Sequence, residues 1–156
     1  MRLSTVAAAA LLCVHVSTAE VRSNETGLPV GFLECGSSGE AKLTISGLFS
    51  SNLFRANLRV ADLERIFDKD GPDFEIRVLG SSVARAMVSK LQETTFTPLD
   101  FRLFDARYRF ECRAGDRTEV IYVTSNGDVS ADGQLFKADN GDWFRLARSV
   151  LAENTR

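Results

Sequence analysis

The chain has 156 residues, of which 44% are apolar and 26% charged, with only 3 prolines and 11 glycines. This composition excludes a disordered, collagen-like or membrane-spanning polypeptide and indicates one domain with a substantial hydrophobic core. The formal net charge of −2 argues against a general nucleic-acid binder and against a polybasic membrane module.

The first 19 residues, MRLSTVAAAALLCVHVSTA, have the pattern of an export signal. An early arginine precedes an apolar run too short to cross a bilayer, and small residues precede a cleavage site between Ala19 and Glu20. We therefore predict that residues 1–19 are removed and that the protein is periplasmic or secreted. The alternatives are an ordinary buried helix and lipid attachment at Cys13, which the bulky Leu12 before it disfavours.

Removal of the signal limits the chemistry of the mature chain. The only histidine, His15, is lost, and the loss of Arg2 leaves 18 basic against 21 acidic groups, a formal charge of −3. Histidine-dependent hydrolases and nucleases and histidine-containing zinc sites are thereby excluded. The sequence contains no S-x-x-K motif, no G-x-G-x-x-G motif and no P-loop. We therefore expect no catalytic residues, no metal and no cofactor.

Cys35 and Cys112 are the only cysteines of the predicted mature chain, and exported proteins usually join such a pair. We predict a disulfide, and closing a loop of 77 positions contributes about 4.5 kcal/mol by the chain-entropy estimate. A buried free pair and a catalytic or metal-binding pair are the alternatives. Both cysteines follow a glutamate and precede a polar turn, which allows a duplicated hairpin, although coincidence is the simpler interpretation.

The hydrophobic pattern predicts an α+β fold with a mostly antiparallel sheet of about six to eight strands. The domain spans residues 30–156 and follows a flexible leader at residues 20–29, in which Asn24 begins a glycosylation acceptor if the source is eukaryotic. The first two strands are expected to pair as a hairpin. The expected strands are residues 30–35, 41–49, 54–60, 74–78, 99–104, 107–112, 118–124 and 134–138.

Three helices are expected among these strands. A short helix at residues 62–67 is capped by Asp62, and two amphipathic helices lie at residues 81–93 and 142–153. Each amphipathic helix has one apolar stripe. The stripes consist of Val83, Ala84, Met87, Val88 and Leu91 in the first, and Trp143, Leu146, Ala147, Val150 and Leu151 in the second.

Two acidic clusters resemble cation sites only superficially. The first does not fit the EF-hand register, so we expect a solvated turn between a helix and a strand. The second contains two Asx-Gly turn dipeptides and is interpreted in the same way. The clusters are Asp68, Asp70, Asp73 and Glu75, and Asn126, Asp128 and Asp132.

Arginines alternate with aromatic residues between positions 101 and 117, a pattern also found in nucleic-acid platforms. Acidic residues are mixed into the same stretch, so cross-strand charge pairs on the wet face of a sheet explain it more simply. Arg145 and Arg148 are expected on the solvent side of the last helix. The arginines of the stretch are Arg102, Arg107, Arg109, Arg113 and Arg117.

The predicted mature chain has no histidine, and its core is predicted to contain a disulfide. Together these features favour a non-catalytic binding module with a rigid surface for a protein partner. In style the chain is similar to periplasmic inhibitor and immunity proteins, although no motif carries a residue across. We expect no nucleic-acid partner and no stable membrane insertion after signal removal. The alternatives are a carboxylate-dependent enzyme acting on envelope glycans and a carrier with an apolar cavity lined by phenylalanines.

Overall fold

A computed structural model describes residues 30–49, 57–78 and 81–154. The predicted signal with its cleavage site at Ala19 and Glu20, the leader and Asn24 lie outside the described residues. The helices are α1 (Val30–Ser37), α2 (Val60–Asp70), α3 (Ser81–Glu93) and α4 (Asp142–Asn154), with a 3₁₀ helix at Phe101–Leu103. The strands are β1 (Lys42–Gly47), β2 (Phe74–Val78), β3 (Phe96–Pro98), β4 (Ala106–Ala114), β5 (Arg117–Thr124), β6 (Val129–Ala131) and β7 (Gln134–Ala138).

The strands form one seven-stranded sheet in the order β2-β1-β4-β5-β6-β7-β3. Every neighbouring pair is antiparallel. The structure therefore confirms the predicted α+β fold, including the amphipathic helices α3 and α4. Val83 of the predicted α3 stripe is the exception, since it is 38% exposed. The structure also adds β6, which lies between the two Asx-Gly turns and was not predicted.

The two faces of the sheet bury unequal amounts of apolar surface. On the inner face α1, α3 and α4 cover the main core, in which Phe110, Trp143 and Ile45 are at most 1% exposed. On the outer face α2 and the 3₁₀ helix cover a smaller cluster around Leu63 and Phe67. Because side chains alternate between faces along a strand, the residues next to Ile45 in β1 and next to Phe110 in β4 project to the outer face.

The prediction of a strand at residues 30–35 is wrong, because this segment begins α1. Phe32, Leu33 and Cys35 are buried while Glu34 is exposed, which is the spacing of a helix with one apolar face. At Gly36 the helix approaches α3 so closely that a Cβ atom would overlap Val88. A short apolar run does not distinguish a strand from a buried helical turn, and packing against α3 and the sheet decides in favour of the helix.

The predicted disulfide between Cys35 and Cys112 is confirmed. It joins α1 to β4 across the inner face, with Cα atoms 6.1 Å apart and both residues at most 2% exposed. Because Cys35 lies in a helix and Cys112 in a strand, the two segments are not a duplicated hairpin.

The prediction of a strand at residues 54–60 is also wrong in its described part, since residues 57–59 are irregular and Val60 begins α2. The Leu58 N–H donates to Asp105 at 2.8 Å and the Leu58 carbonyl accepts from Ala106 at 2.7 Å, which holds this segment beside the start of β4. The helix is longer than predicted. Asp62 lies inside its first turn, where its carboxylate accepts from the Arg59 N–H.

The prediction of a strand at residues 99–104 is wrong as well. The edge strand β3 precedes these residues and ends at Pro98, after which the Leu99 N–H still donates to the Leu135 carbonyl at 2.8 Å. The Asp100 carboxylate then accepts from the Arg102 N–H at 2.9 Å and caps the 3₁₀ helix. The side chain of Asp100 thus stabilises a turn where alternating hydrophobicity indicated a strand.

Candidate binding site

The outer side of β2, β1 and β4 forms a concave surface that α2 leaves uncovered. This surface, which we call the open face, encloses about 670 Å³. Its side chains come from neighbouring strands, since Thr44 pairs with Arg77 on one side and Glu111 on the other, and Lys42 pairs with Arg113. The polar lining of the open face is Lys42, Thr44, Glu75, Arg77, Arg109, Glu111 and Arg113.

Arg109 connects the open face to α2. Its guanidinium contacts Glu64 of α2 at 3.3 Å and Glu111 of its own strand at 3.4 Å, and it lies 5.9 Å from the Phe67 ring centroid. Glu111 also accepts from Arg113 at 2.6 Å. The network holds α2 against the sheet and forms the border of the open face beside that helix.

The network leaves two buried atoms without a well-aligned partner in the described part of the chain. These are Arg109 Nε and Glu64 Oε1, although the Tyr122 hydroxyl lies beside the Glu64 carboxylate. Burial and then this carboxylate raise the pKa of Tyr122 to about 12. The Tyr122 phenol is therefore neutral at physiological pH.

The open face carries more positive than negative charge. Lys42, Arg77, Arg109 and Arg113 line it together with two acidic side chains, those of Glu75 and Glu111. Glu64 of α2 binds Arg109 at the border, which leaves an excess of one positive charge. The Arg77 side chain is 76% exposed, and its ion pair with Glu75 is long, at 3.5 Å. Lys42 is exposed and has no ion pair with any described residue. On a chain with a net charge of −2, this local excess favours an anionic group.

Acidic residues of the two clusters accept hydrogen bonds from backbone N–H groups elsewhere in the chain. Asp73 accepts from the Phe49 N–H at 2.8 Å and Asp128 accepts from the Ala138 N–H at 3.1 Å. The Thr124 hydroxyl accepts from the N–H groups of Asn126 and Asp128. Across residues 30–49, 57–78 and 81–154, no group of three or more His, Cys, Asp or Glu side chains has an arrangement that would hold a metal ion.

The expectation of cross-strand charge pairs in the arginine-rich stretch is wrong in detail. Arg113 binds Glu111, and Arg117 binds Glu119 at 2.8 Å, so these contacts run along one strand. Arg117 also reaches Glu34 of α1 at 2.9 Å, as Arg109 reaches α2. The ion pairs therefore connect the sheet to its helices. Arg145 and Arg148 are exposed on α4, as predicted.

No family model matches the chain, and neither a curated protein nor a solved structure is significantly similar to it. Among the described helices, none has the length and apolar character needed to cross a membrane.

The sequence singled out Arg109, Arg113 and Glu75 of the open face only in patterns that were then interpreted as structural, and it did not indicate Lys42, Thr44, Arg77 or Glu111 as binding residues. The sequence pattern that corresponds to the open face is the alternation of polar with apolar residues in three strands. The polar residues are Lys42 and Thr44, Glu75 and Arg77, and Glu111 and Arg113. Each alternation alone describes an ordinary half-buried strand. Only the strand order β2-β1-β4 brings the three pairs together on one surface.

Proposed function

We propose that the protein is an exported, non-catalytic binding module that holds an acidic segment of a protein partner against the open face. The observation that carries this proposal is the excess of basic side chains on that face of an acidic chain. Charged groups arranged in this way steer a partner of opposite charge and fix its register.

The rigidity of the open face supports the proposal. β1 pairs with β2 and β4 on its two sides, and the Cys35–Cys112 disulfide attaches β4 to α1 behind the sheet. Arg109 and Glu111 are held by their ion pairs before any partner arrives. A preorganised surface loses little conformational entropy on binding, which suits an inhibitor- or immunity-like module.

The geometry gives less support to a carboxylate-dependent glycan enzyme. Such an enzyme needs two carboxyl groups facing a substrate, one of them as a proton donor. In the described part of the open face Arg109 stands between Glu64 and Glu111 and binds both. This arrangement satisfies the two carboxylates within the protein and holds α2 in place.

Fluorescence anisotropy with two labelled peptides tests the proposal. One peptide alternates glutamate with valine and the other alternates lysine with valine, so they share length and apolar content. We expect saturable binding of the glutamate peptide only, with an affinity that decreases as salt is added. In the Lys42→Glu/Arg77→Glu variant we expect binding to weaken by roughly tenfold or more, because two exposed contacts become repulsive.

The Lys137→Glu/Arg145→Glu variant is the matched control. It makes the same change in net charge, at one lysine and one arginine that are exposed on β7 and α4 and do not line the open face. Retained binding by this control together with loss in the open-face variant supports the proposal. Equal binding of both peptides, or equal weakening in both variants, contradicts it.

A further inference from the structure

A second concavity lies on the outer face, bounded by the first turn of α2, the 3₁₀ helix and strands β5, β6 and β7. This α2 pocket has a volume of about 290 Å³ and shares no lining residue with the open face. Its walls are mostly apolar, as in sites for small molecules. The main lining residues are Val60, Ala61, Phe101, Phe104, Tyr122 and Leu135.

Ser130 supplies a polar group within this apolar lining. The residue is 4% exposed, lies opposite Tyr122 in the β5–β6 pair and lines the pocket. A ligand group that bonds to the Ser130 hydroxyl would form a hydrogen bond within an apolar lining, where a single polar group fixes the orientation of the ligand.

The charges around the pocket favour a neutral ligand. The charged residues of its lining are one of each sign, Arg59 and Asp132, so the lining carries no net charge. At the rim, Phe101 is 64% exposed, so a ligand in the pocket would cover an aromatic ring that now faces solvent.

We propose that the α2 pocket binds a small neutral molecule with an apolar ring body and one hydroxyl or carbonyl group that bonds to Ser130. The proposal is independent of the function assigned to the open face, because the two surfaces have separate lining residues and ligands of different charge.

Displacement of N-phenyl-1-naphthylamine, whose fluorescence rises in apolar sites, tests the proposal on the purified disulfide-bonded protein. The competitors are 2-naphthol and 2-methylnaphthalene, which have the same ring system and differ in the hydroxyl group. We expect 2-naphthol to bind more tightly, and Ser130→Ala to weaken 2-naphthol by about 2- to 10-fold while leaving 2-methylnaphthalene unchanged. If the two competitors bind Ser130→Ala equally, the hydroxyl of 2-naphthol is identified as the group that contacts Ser130.

Two further variants locate the binding site. Ala61 is exposed at the start of α2, so Ala61→Trp fills the pocket without touching the core, and we expect it to abolish displaceable probe binding. Phe101→Ala is expected to weaken binding by about tenfold through lost apolar contact. Phe49→Ala is the matched control, because Phe49 is 47% exposed and lies outside the pocket.

The proposal is overturned if the wild-type protein shows no saturable probe binding, or if Ala61→Trp binds as the wild type does. It is also overturned if Ser130→Ala weakens both competitors equally, or if Phe49→Ala has the effect of Phe101→Ala. Sedimentation velocity supplies the last outcome. A dimer that excludes the probe, with probe binding confined to the monomer, would assign the pocket to a second copy of the chain and overturn the proposal.

Discussion

Replacing Cys35 and Cys112 with alanine is expected to remove a large part of the stability of the protein. The disulfide joins α1 to the central strand β4, and it closes a loop of 77 positions that contains β1, α2, β2, α3 and β3. In the unfolded chain the same bond keeps these two ends together. Its loss therefore gives the unfolded state many conformations that the native state does not share.

The expected magnitude has two parts. The chain-entropy estimate for a loop of 77 positions is about 4.5 kcal/mol. Cys35 and Cys112 are 2% and 1% exposed, so removing each sulfur leaves a small void that costs about 1 kcal/mol. Because natural domains are stable by only about 5–15 kcal/mol, the double variant is expected to be marginally stable.

Urea denaturation followed by the fluorescence of Trp143, the only tryptophan, separates the two parts. Reduced wild-type protein keeps both sulfur atoms, so the oxidised and reduced forms differ by the loop-closure contribution. The reduced form and the Cys35→Ala/Cys112→Ala variant then differ by the packing contribution. A difference below about 1 kcal/mol between oxidised and reduced protein would refute the reasoning, because it would mean that the reduced unfolded chain already keeps α1 near β4.

Three further predictions concern single residues. Gly127→Ala should lower the free energy of unfolding in urea by about 1–3 kcal/mol, since Gly127 has φ of 92° and a Cβ would lie 2.9 Å from Phe144. Ultraviolet titration should show Tyr122 ionising near pH 12. Because the unfolded phenol ionises near 10.0, stability should fall as pH rises between these values. Arg109→Ala should cost about 1–3 kcal/mol in the same denaturation assay, because the half-buried Glu64 loses its partner.

Sequence periodicity predicts an element well when one face of that element meets a single environment. The α4 stripe that begins at Trp143 packs on the core along its whole length, and Tyr108, Phe110 and Cys112 alternate as expected along β4. The disulfide is predictable for another reason, since the predicted removal of residues 1–19 would leave only one way to pair the cysteines.

The wrong predictions arise where a local pattern is short or a side chain satisfies the backbone. The run around Phe32 and Leu33 is too short to show a helical period, and it becomes a helix because α3 and the sheet enclose it. Between Leu99 and Phe104 the alternation is real, but the Asp100 carboxylate caps a 3₁₀ helix there. Such contacts depend on groups that lie distant in sequence or on a single competing hydrogen bond.

The open face could not be predicted for a different reason. Its residues come from β1, β2 and β4, and the segment between β1 and β4 also contains α2, α3, β3 and the 3₁₀ helix. Nothing in the pattern of Glu75 and Arg77 states that β2 lies at the edge of the sheet beside β1, with β4 on the other side. A surface assembled from distant segments becomes visible only when the pairing of strands is known.

The division of the sheet into two faces determines which substitutions can test function without unfolding the protein. The main core, the disulfide and the aromatic contact of Trp143 with Phe110 at 5.8 Å all lie on the inner face. Lys42, Arg77, Ala61 and Phe101 are exposed on the outer side, so changing them leaves that core intact. α2 borders both the open face and the α2 pocket. Its ion pair with the sheet, between Glu64 and Arg109, must therefore be kept in every binding experiment.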